Sequence, residues 1–177
     1  LLQFVSIFFI FLFAVPIGVI SAIKHNSLFD KGATIFVFVG YAMPTFWFAL
    51  LLILFFGVKL SMFPISGMSP WYVEYLNNFE KLKDLLWHLV LPVTATIFGS
   101  LAALSRYARS SVLEVAKERY VLTARARGIP ERRIAVNYIL RNALLPIITI
   151  FGMTIPALIS GSFIFETIFS WPGMGRL

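Results

Sequence analysis

The residues able to do chemistry in this chain are few, and most of them are cations. Nine of its fifteen Lys and Arg side chains fall between Arg106 and Asn142, with only Glu114, Glu118 and Glu131 as acids among them. Ammonium and guanidinium groups at that density bind anionic surfaces, whether lipid headgroups or acidic faces of a partner. Little else is available. The two histidines, His25 and His88, are far apart and there is no cysteine, so neither a metal-ligand spacing nor a thiol nucleophile can be read. No Ser/His or His/carboxylate grouping has a spacing useful for hydrolysis, which argues against an intramembrane enzyme.

The elements that must position these cations are apolar. The chain is 59% hydrophobic with mean hydropathy +0.88, and 13% of its residues are charged, against about 25% in soluble domains. That is a membrane protein's composition. The net charge of +7 therefore reads as topology and attraction to anionic lipid, not as nucleic-acid binding. Four uncharged runs stand out, at about 1–23, 32–58, 87–105 and 143–165. The first would rise roughly 35 Å as a helix, enough to cross a hydrocarbon core of about 30 Å. Backbone groups in lipid must bond within their own segment, so the runs are expected to be helices of one all-α polytopic bundle covering 1–177. The first run has no basic stretch before it and does not read as a signal peptide. It opens on Leu1 already inside an apolar run, and the chain closes soon after Trp171-Pro-Gly-Met-Gly-Arg176, so it reads as a piece of something longer.

Charge in the connections sets an orientation. Lys24 and Lys31 lie between the first two runs, and the nine basic residues between the last two. Lys59, Lys81 and Lys83 in the middle connection are balanced by Glu74, Glu80 and Asp84. The basic connections, 24–31 and 106–142, are expected in the cytoplasm, and 59–86 outside. Within 59–86, Phe63-Pro-Ile-Ser-Gly67 is a turn cluster, and Trp71 to Leu86 suits a short helix at the interface.

The basic connection has internal order. Leu113, Ala116, Tyr120 and Ala124 recur at three- and four-residue steps, the spacing of one helical face. Glu114 and Glu118 near the start of that helix, with Arg125 and Arg127 at its end, suit the helix dipole. Gly128 can stop it in a left-handed conformation. After Ile129, Pro130 suits the first position of a second helix, with Glu131 in its first turn. Ile134, Ala135, Tyr138 and Ile139 carry an apolar face toward the last run. A helix–Gly–helix elbow results, and a merely solvated topological loop would need no such face.

These residues also carry a resemblance. Tyr120, Val121, Thr123, Ala124, Arg125, Ala126, Arg127 and Gly128, followed by Arg141-Asn-Ala-Leu-Leu-Pro146, resemble the "EAA" cytoplasmic loop of ATP-binding-cassette importer permeases. The match is to the dipeptide, oligopeptide and nickel branch. Leu122 stands where the motif's namesake Glu would be, and Gly128 to Pro146 is longer than the spacing in sugar and amino-acid permeases. Both departures suit the peptide branch. Gly18-Val-Ile-Ser-Ala-Ile-Lys24, Met43-Pro-Thr-Phe-Trp47 and Phe165-Glu-Thr-Ile-Phe-Ser-Trp-Pro-Gly-Met-Gly-Arg176 are similar to that branch too.

The resemblance implies a type I ABC importer permease fold, with four of an expected six spans, in a bacterial or archaeal plasma membrane. It implies a second homologous permease, two cytoplasmic ATPases and an external substrate-binding protein as partners. ATP would be hydrolysed by the ATPases, with no cofactor in this subunit. Within a coupling loop from Leu113 to Pro130, the helix around Tyr120 to Gly128 would sit in a groove of one ATPase, with Ala124 facing it at close range. Di- or oligopeptides are the implied cargo, with nickel chelates, glutathione or oligosaccharides as alternatives. None of the four runs holds an Asp, Glu, Lys or Arg, so no intramembrane ion or proton path is visible, and a secondary transporter is disfavoured. Pro156, Ser160 and Ser162 in the last run could line a pathway, or Ser160 and Ser162 could pack against a neighbouring helix.

Overall fold

A computed structural model describes residues 1–69 and 76–176; the side chains at 157, 159, 160 and 176 lie outside that description. Every regular element among the described residues is helical. α1 is Leu2–Ile23 and α2 Leu28–Ala42. α3, Thr45–Leu52, widens into a π-helical stretch, Ile53–Lys59. α4 is Asn78–Val115 and α5 Arg119–Ala126. The short α6, Glu131–Arg133, passes through a π-helical stretch, Ile134–Leu140, into α7, Arg141–Ser160. α8, Phe163–Ile168, and a 3-10 turn, Met174–Arg176, end the chain. Three helical stretches are long and apolar enough to cross a bilayer, and the broken pair α2–α3 makes up to four.

The helices follow the apolar runs but are cut and extended differently. The second run is divided at Pro44, which adopts φ −59° and ψ 128° at the head of α3. Proline cannot donate to the helical ladder and pushes the preceding residue out of helical conformation, so α2 stops at Ala42. The third run lies inside the much longer α4, whose 38 residues extend about 57 Å. The expected separate helix over Trp71–Leu86 is not what its described part forms: residues 78–86 are the first turns of α4, and 70–75 lie outside the described residues. The fourth run is broken by Gly161 at φ 69°, a value that a side chain would disfavour, so α7 and α8 are distinct.

The chain forms two compact units. The first comprises Leu1–Phe9, Ala42–Gly99 and Pro156–Leu177. Its core joins Leu2, Ala49, Leu52, Leu89, Leu91 and Val93 to Phe165, Phe169 and Trp171. Phe48 stacks on Phe98 with ring centroids 3.9 Å apart, and Gly67 N–H donates to the Phe169 carbonyl at 2.9 Å. Glu166 is buried in this unit. Its carboxylate accepts the Ser162 N–H at 3.0 Å and the Gly175 N–H at 2.8 Å. A Cβ on Gly173 would overlap that carboxylate, and one on Gly175 would lie 2.9 Å from Oε2. Bare backbone is what lets the closing turn wrap the acid.

The second unit comprises Ile10–Tyr41 and Ser100–Ile155. Here small residues let helices approach closely, as is usual where lipid replaces water and association depends on packing. A Cβ on Gly18 of α1 would overlap the Ser105 carbonyl oxygen and lie 2.7 Å from the Ala108 Cβ of α4. Phe11 and Phe151 meet edge to face at 5.0 Å. This unit carries the basic connection.

Candidate coupling site

The expected helix through Leu113, Ala116, Tyr120 and Ala124 is broken. α4 ends at Val115, and Lys117 and Glu118 N–H groups bond back to Glu114 and Val115 at 3.0 and 3.1 Å. Glu118 is then extended, with φ −64° and ψ 145°, and the chain changes direction before α5. Leu113 and Ala116 therefore do not continue the face of Tyr120 and Ala124. The reason is tertiary: the turn brings Val121 and Ala124 into a core with Ala22, Val112, Ile134, Ile139 and Ala143. Leu113, Ala116 and Ile129 pack at its edge.

This seating corrects the expectation for Ala124. It is 3% exposed, so it faces the chain's own helices and is not available to a partner. The outward face of α5 carries Leu122, 53% exposed, with Thr123, Arg125 and Ala126 beside it and Arg127 after it. Thr123 Oγ1 bonds back to the Arg119 carbonyl at 2.9 Å.

The stop after α5 has the expected chemistry. Gly128 has φ 73°; its N–H bonds to the Arg125 carbonyl at 2.9 Å and the Ile129 N–H to the Ala124 carbonyl at 3.3 Å. These paired bonds are a Schellman cap, which satisfies carbonyls the helix end would otherwise leave open. Pro130 precedes the next helix instead of opening it, with φ −58° and ψ 135°, and Glu131 is the first helical residue. Arg125 Nε reaches Glu131 Oε1 at 2.9 Å, but both side chains are well exposed, so the pair adds little. Tyr120 Oη accepts from Asn142 Nδ2 at 3.1 Å, and the same Nδ2 donates to the Tyr138 carbonyl at 2.7 Å. α5 is thereby tied to the first turn of α7.

A second constellation escaped the sequence reading. Asp30 is buried in the first turn of α2. Arg109 of α4 grips it with two parallel bonds, Nε to Oδ1 at 2.7 Å and Nη2 to Oδ2 at 2.8 Å. The Ser21 hydroxyl of α1 donates to Oδ1, and the Asn26 N–H to Oδ2 at 2.9 Å. A buried carboxylate needs such saturation, since an unpaired charge there is very costly. The fork geometry of guanidinium also fixes orientation, which a Lys could not do. One clamp thus fastens the end of α1, the start of α2 and the tail of α4. A local signal was readable: Ser27-Leu-Phe-Asp30 before an apolar run is a helix-start signature, and Ser27 Oγ accepts the Asp30 N–H at 3.3 Å. Its partner, 79 positions away, was not readable.

The three pathway candidates belong to the other unit. Pro156 is exposed on α7. Ser162 precedes α8 and bonds through its backbone to Glu166. The Ser160 side chain lies outside the described residues.

Comparison with known proteins follows the same direction. Residues 14–177 match the family model for the binding-protein-dependent transport system inner membrane component. The oligopeptide transport system permease protein AppB of Bacillus subtilis is 44% identical over 100% of this chain and 54% of its own length. The di/tripeptide transport system permease protein DppB of Pseudomonas aeruginosa is 41% identical over 93% of this chain and 53% of its own length. The dipeptide transport system permease protein DppB of Escherichia coli K12 is 37% identical over 92% and 52%. The chain spans about half the length of these curated relatives. A multi-span helical bundle with such bacterial relatives has its place in the bacterial inner membrane. With the match covering nearly all of its residues, this chain belongs to the family of binding-protein-dependent transport system inner membrane components.

Proposed function

We propose that this chain is part of a permease subunit of an ATP-driven importer, lining part of a path for di- or oligopeptides and docking through α5 on a cytoplasmic ATPase. Its partners in this reading are a second homologous permease, two cytoplasmic ATPases and an external substrate-binding protein. ATP is hydrolysed by the ATPases, and no cofactor is held by this subunit. The peptide cargo is taken from the printed names of the relatives above.

The observation that carries the docking assignment is the two-sidedness of α5. Its inner face, Val121 and Ala124, is buried, while Leu122 on the outer face is 53% exposed among Thr123, Arg125 and Ala126. On a segment assigned to the cytoplasm by its charge, an exposed leucine flanked by guanidinium groups suits a partner groove with an apolar floor and acidic rim. A partner can move the spans only if it pushes on something that does not yield. The capped, core-seated α5 meets that requirement. ATP then shifts the permease between inward-open and outward-open states only by binding one of them more tightly.

The test separates the outer face from the inner. In the intact importer, Leu122→Asp is expected to release the ATPases while the permease keeps its level in the membrane. Ala124→Trp is expected to lower that level, because it overfills a packed core. A Cys at position 122 should cross-link to a Cys in the ATPase groove and change its yield with ATP. Normal ATPase retention by Leu122→Asp, together with no cross-link, would remove α5 as the docking element.

A further inference from the structure

The second unit contains a cavity of about 280 Å³ between α1, α2 and α4, beside the Asp30–Arg109 clamp. Its lining is mixed. Ile17 on α1 and Val37 and Phe38 on α2 supply apolar surface, while Arg106, Arg109 and Ser110 on α4 supply polar groups. α4 packs its Ser105–Arg109 stretch closely on Gly18 of α1, so the arginines enter the cavity beside Ile17. Arg109 is already neutralised by Asp30 through both carboxylate oxygens. Arg106 is exposed and has no carboxylate within ion-pair distance among the described residues. Among the described residues no Asp or Glu lines the cavity; Asp30 beside it is held by Arg109, and Glu114 lies one turn beyond Ser110 on α4. The cavity therefore presents one net positive charge, a hydroxyl at Ser110, and an apolar wall from Ile17, Val37 and Phe38.

We propose that this cavity is a binding site for an anionic phospholipid, with the headgroup phosphate on Arg106 and Ser110 and an acyl chain along Ile17, Val37 and Phe38. A free anion would use Arg106 and Ser110 but leave the apolar wall unsatisfied, and a zwitterionic lipid would bring its own cation to a cavity that already carries one net positive charge. Basic pockets between helices at the cytoplasmic level are where anionic headgroups are held. Only the choice of leaflet rests on the orientation in the functional reading above; the lipid class does not. A lipid there would wedge between the α1–α2 hairpin and the tail of α4, next to the clamp that joins them.

The experiment uses the intact importer purified in mild detergent and offered phosphatidylglycerol or phosphatidylcholine. Retained lipid is counted by native mass spectrometry. Wild type is expected to retain phosphatidylglycerol in preference. Arg106→Gln should lower its occupancy roughly fivefold, the effect of one surface cation on an anionic headgroup, and Arg106→Lys should restore most of it. Ala33→Trp, which adds bulk to the α2 wall of the cavity and leaves the Arg106 charge in place, should exclude the lipid as well. Equal retention by wild type and Arg106→Gln would overturn the proposal, as would equal retention of phosphatidylcholine. Displacement of the lipid by millimolar inorganic phosphate alone would also overturn it, in favour of a free-anion site. ATPase co-purification, scored on the same samples without lipid, reports separately on the docking reading.

Discussion

Removing Arg109 should open the α1–α2 hairpin far more than removing the acid it holds. The carboxylate side chain of Asp30 is 5% exposed and the guanidinium side chain of Arg109 26% exposed. Breaking a fully buried pair by deleting one partner costs about 3–5 kcal/mol, because the other charge stays buried and unpaired. Arg109→Met strands Asp30 with only the Ser21 hydroxyl and the Asn26 N–H. Since one partner is already a quarter in contact with solvent, about 2–3 kcal/mol is the better figure. Asp30→Asn leaves a guanidinium that can turn to water and an amide oxygen that can still accept, so about 1 kcal/mol is expected. At 1.4 kcal/mol per tenfold, the open fraction rises roughly 30- to 150-fold in the first variant and less than tenfold in the second.

Ala22, buried beside Ser21, reports that opening as a single Cys. This stretch has no cysteine of its own, so after removal of any elsewhere in the intact subunit one thiol answers alone. Its reaction rate with a membrane-permeant maleimide follows the open fraction when closing outpaces labelling. The double variant Asp30→Asn/Arg109→Met has no stranded carboxylate and should label more slowly than Arg109→Met. Equal rates in the two single variants, or additivity of the two within about 0.5 kcal/mol, would refute the clamp as a charge-balanced unit.

Two other perturbations bear on the ends of the two units. Gly128→Val places a β-branched residue at φ 73°, where a side chain meets no neighbour within 4 Å, so the cost is conformational and on the order of 1–2 kcal/mol. Transport should be lost with insertion intact, while Gly128→Asn, which tolerates that conformation, should keep most uptake; equal uptake by Val and Asn variants would make the left-handed cap irrelevant. Glu166→Ala leaves the Ser162 and Gly175 N–H groups without their acceptor, at about 1–3 kcal/mol each if they stay dry. Limited proteolysis between Ser170 and Arg176 should accelerate at least tenfold, with Glu166→Gln intermediate; unchanged cleavage would show that the turn holds itself.

The helical class was legible because uncharged runs long enough to cross lipid have few alternatives. The Gly128 stop was legible for a related reason: only a residue tolerant of positive φ caps a helix that way, and the arginines before it announce the end. The break at 116–118 was not. Leu113, Ala116, Tyr120 and Ala124 fit a straight helix as well as a bent one, and the bend is decided by burying Val121 and Ala124 against α6 to α7, which local spacing cannot report. Asp30 and Arg109 each looked like one more charge in a topological connection; only their meeting makes them a clamp. Glu166 offered a weaker clue. It is a lone acid among aromatics with glycines at 161, 173 and 175, a pattern that suits an anion wrapped by backbone.

What joins these features within the second unit is the last stretch of α4. A helix turns about 100° per residue, so neighbouring positions point at different partners. Arg109 reaches Asp30 at the start of α2, Ser111 Oγ donates to the Ala143 carbonyl of α7 at 2.9 Å, and Val112 packs in the core that seats α5. Three residues in four thus bind three elements, each by a different kind of contact. Apolar packing is tolerant of direction, whereas a forked ion pair is not. A push on α5 therefore reaches the tail of α4 through the shared core at Val112, and it cannot tilt that tail without either carrying α2 along or breaking two charge-assisted bonds at once. On the proposed function, this makes the clamp the step at which motion of the docking helix becomes motion of the spans.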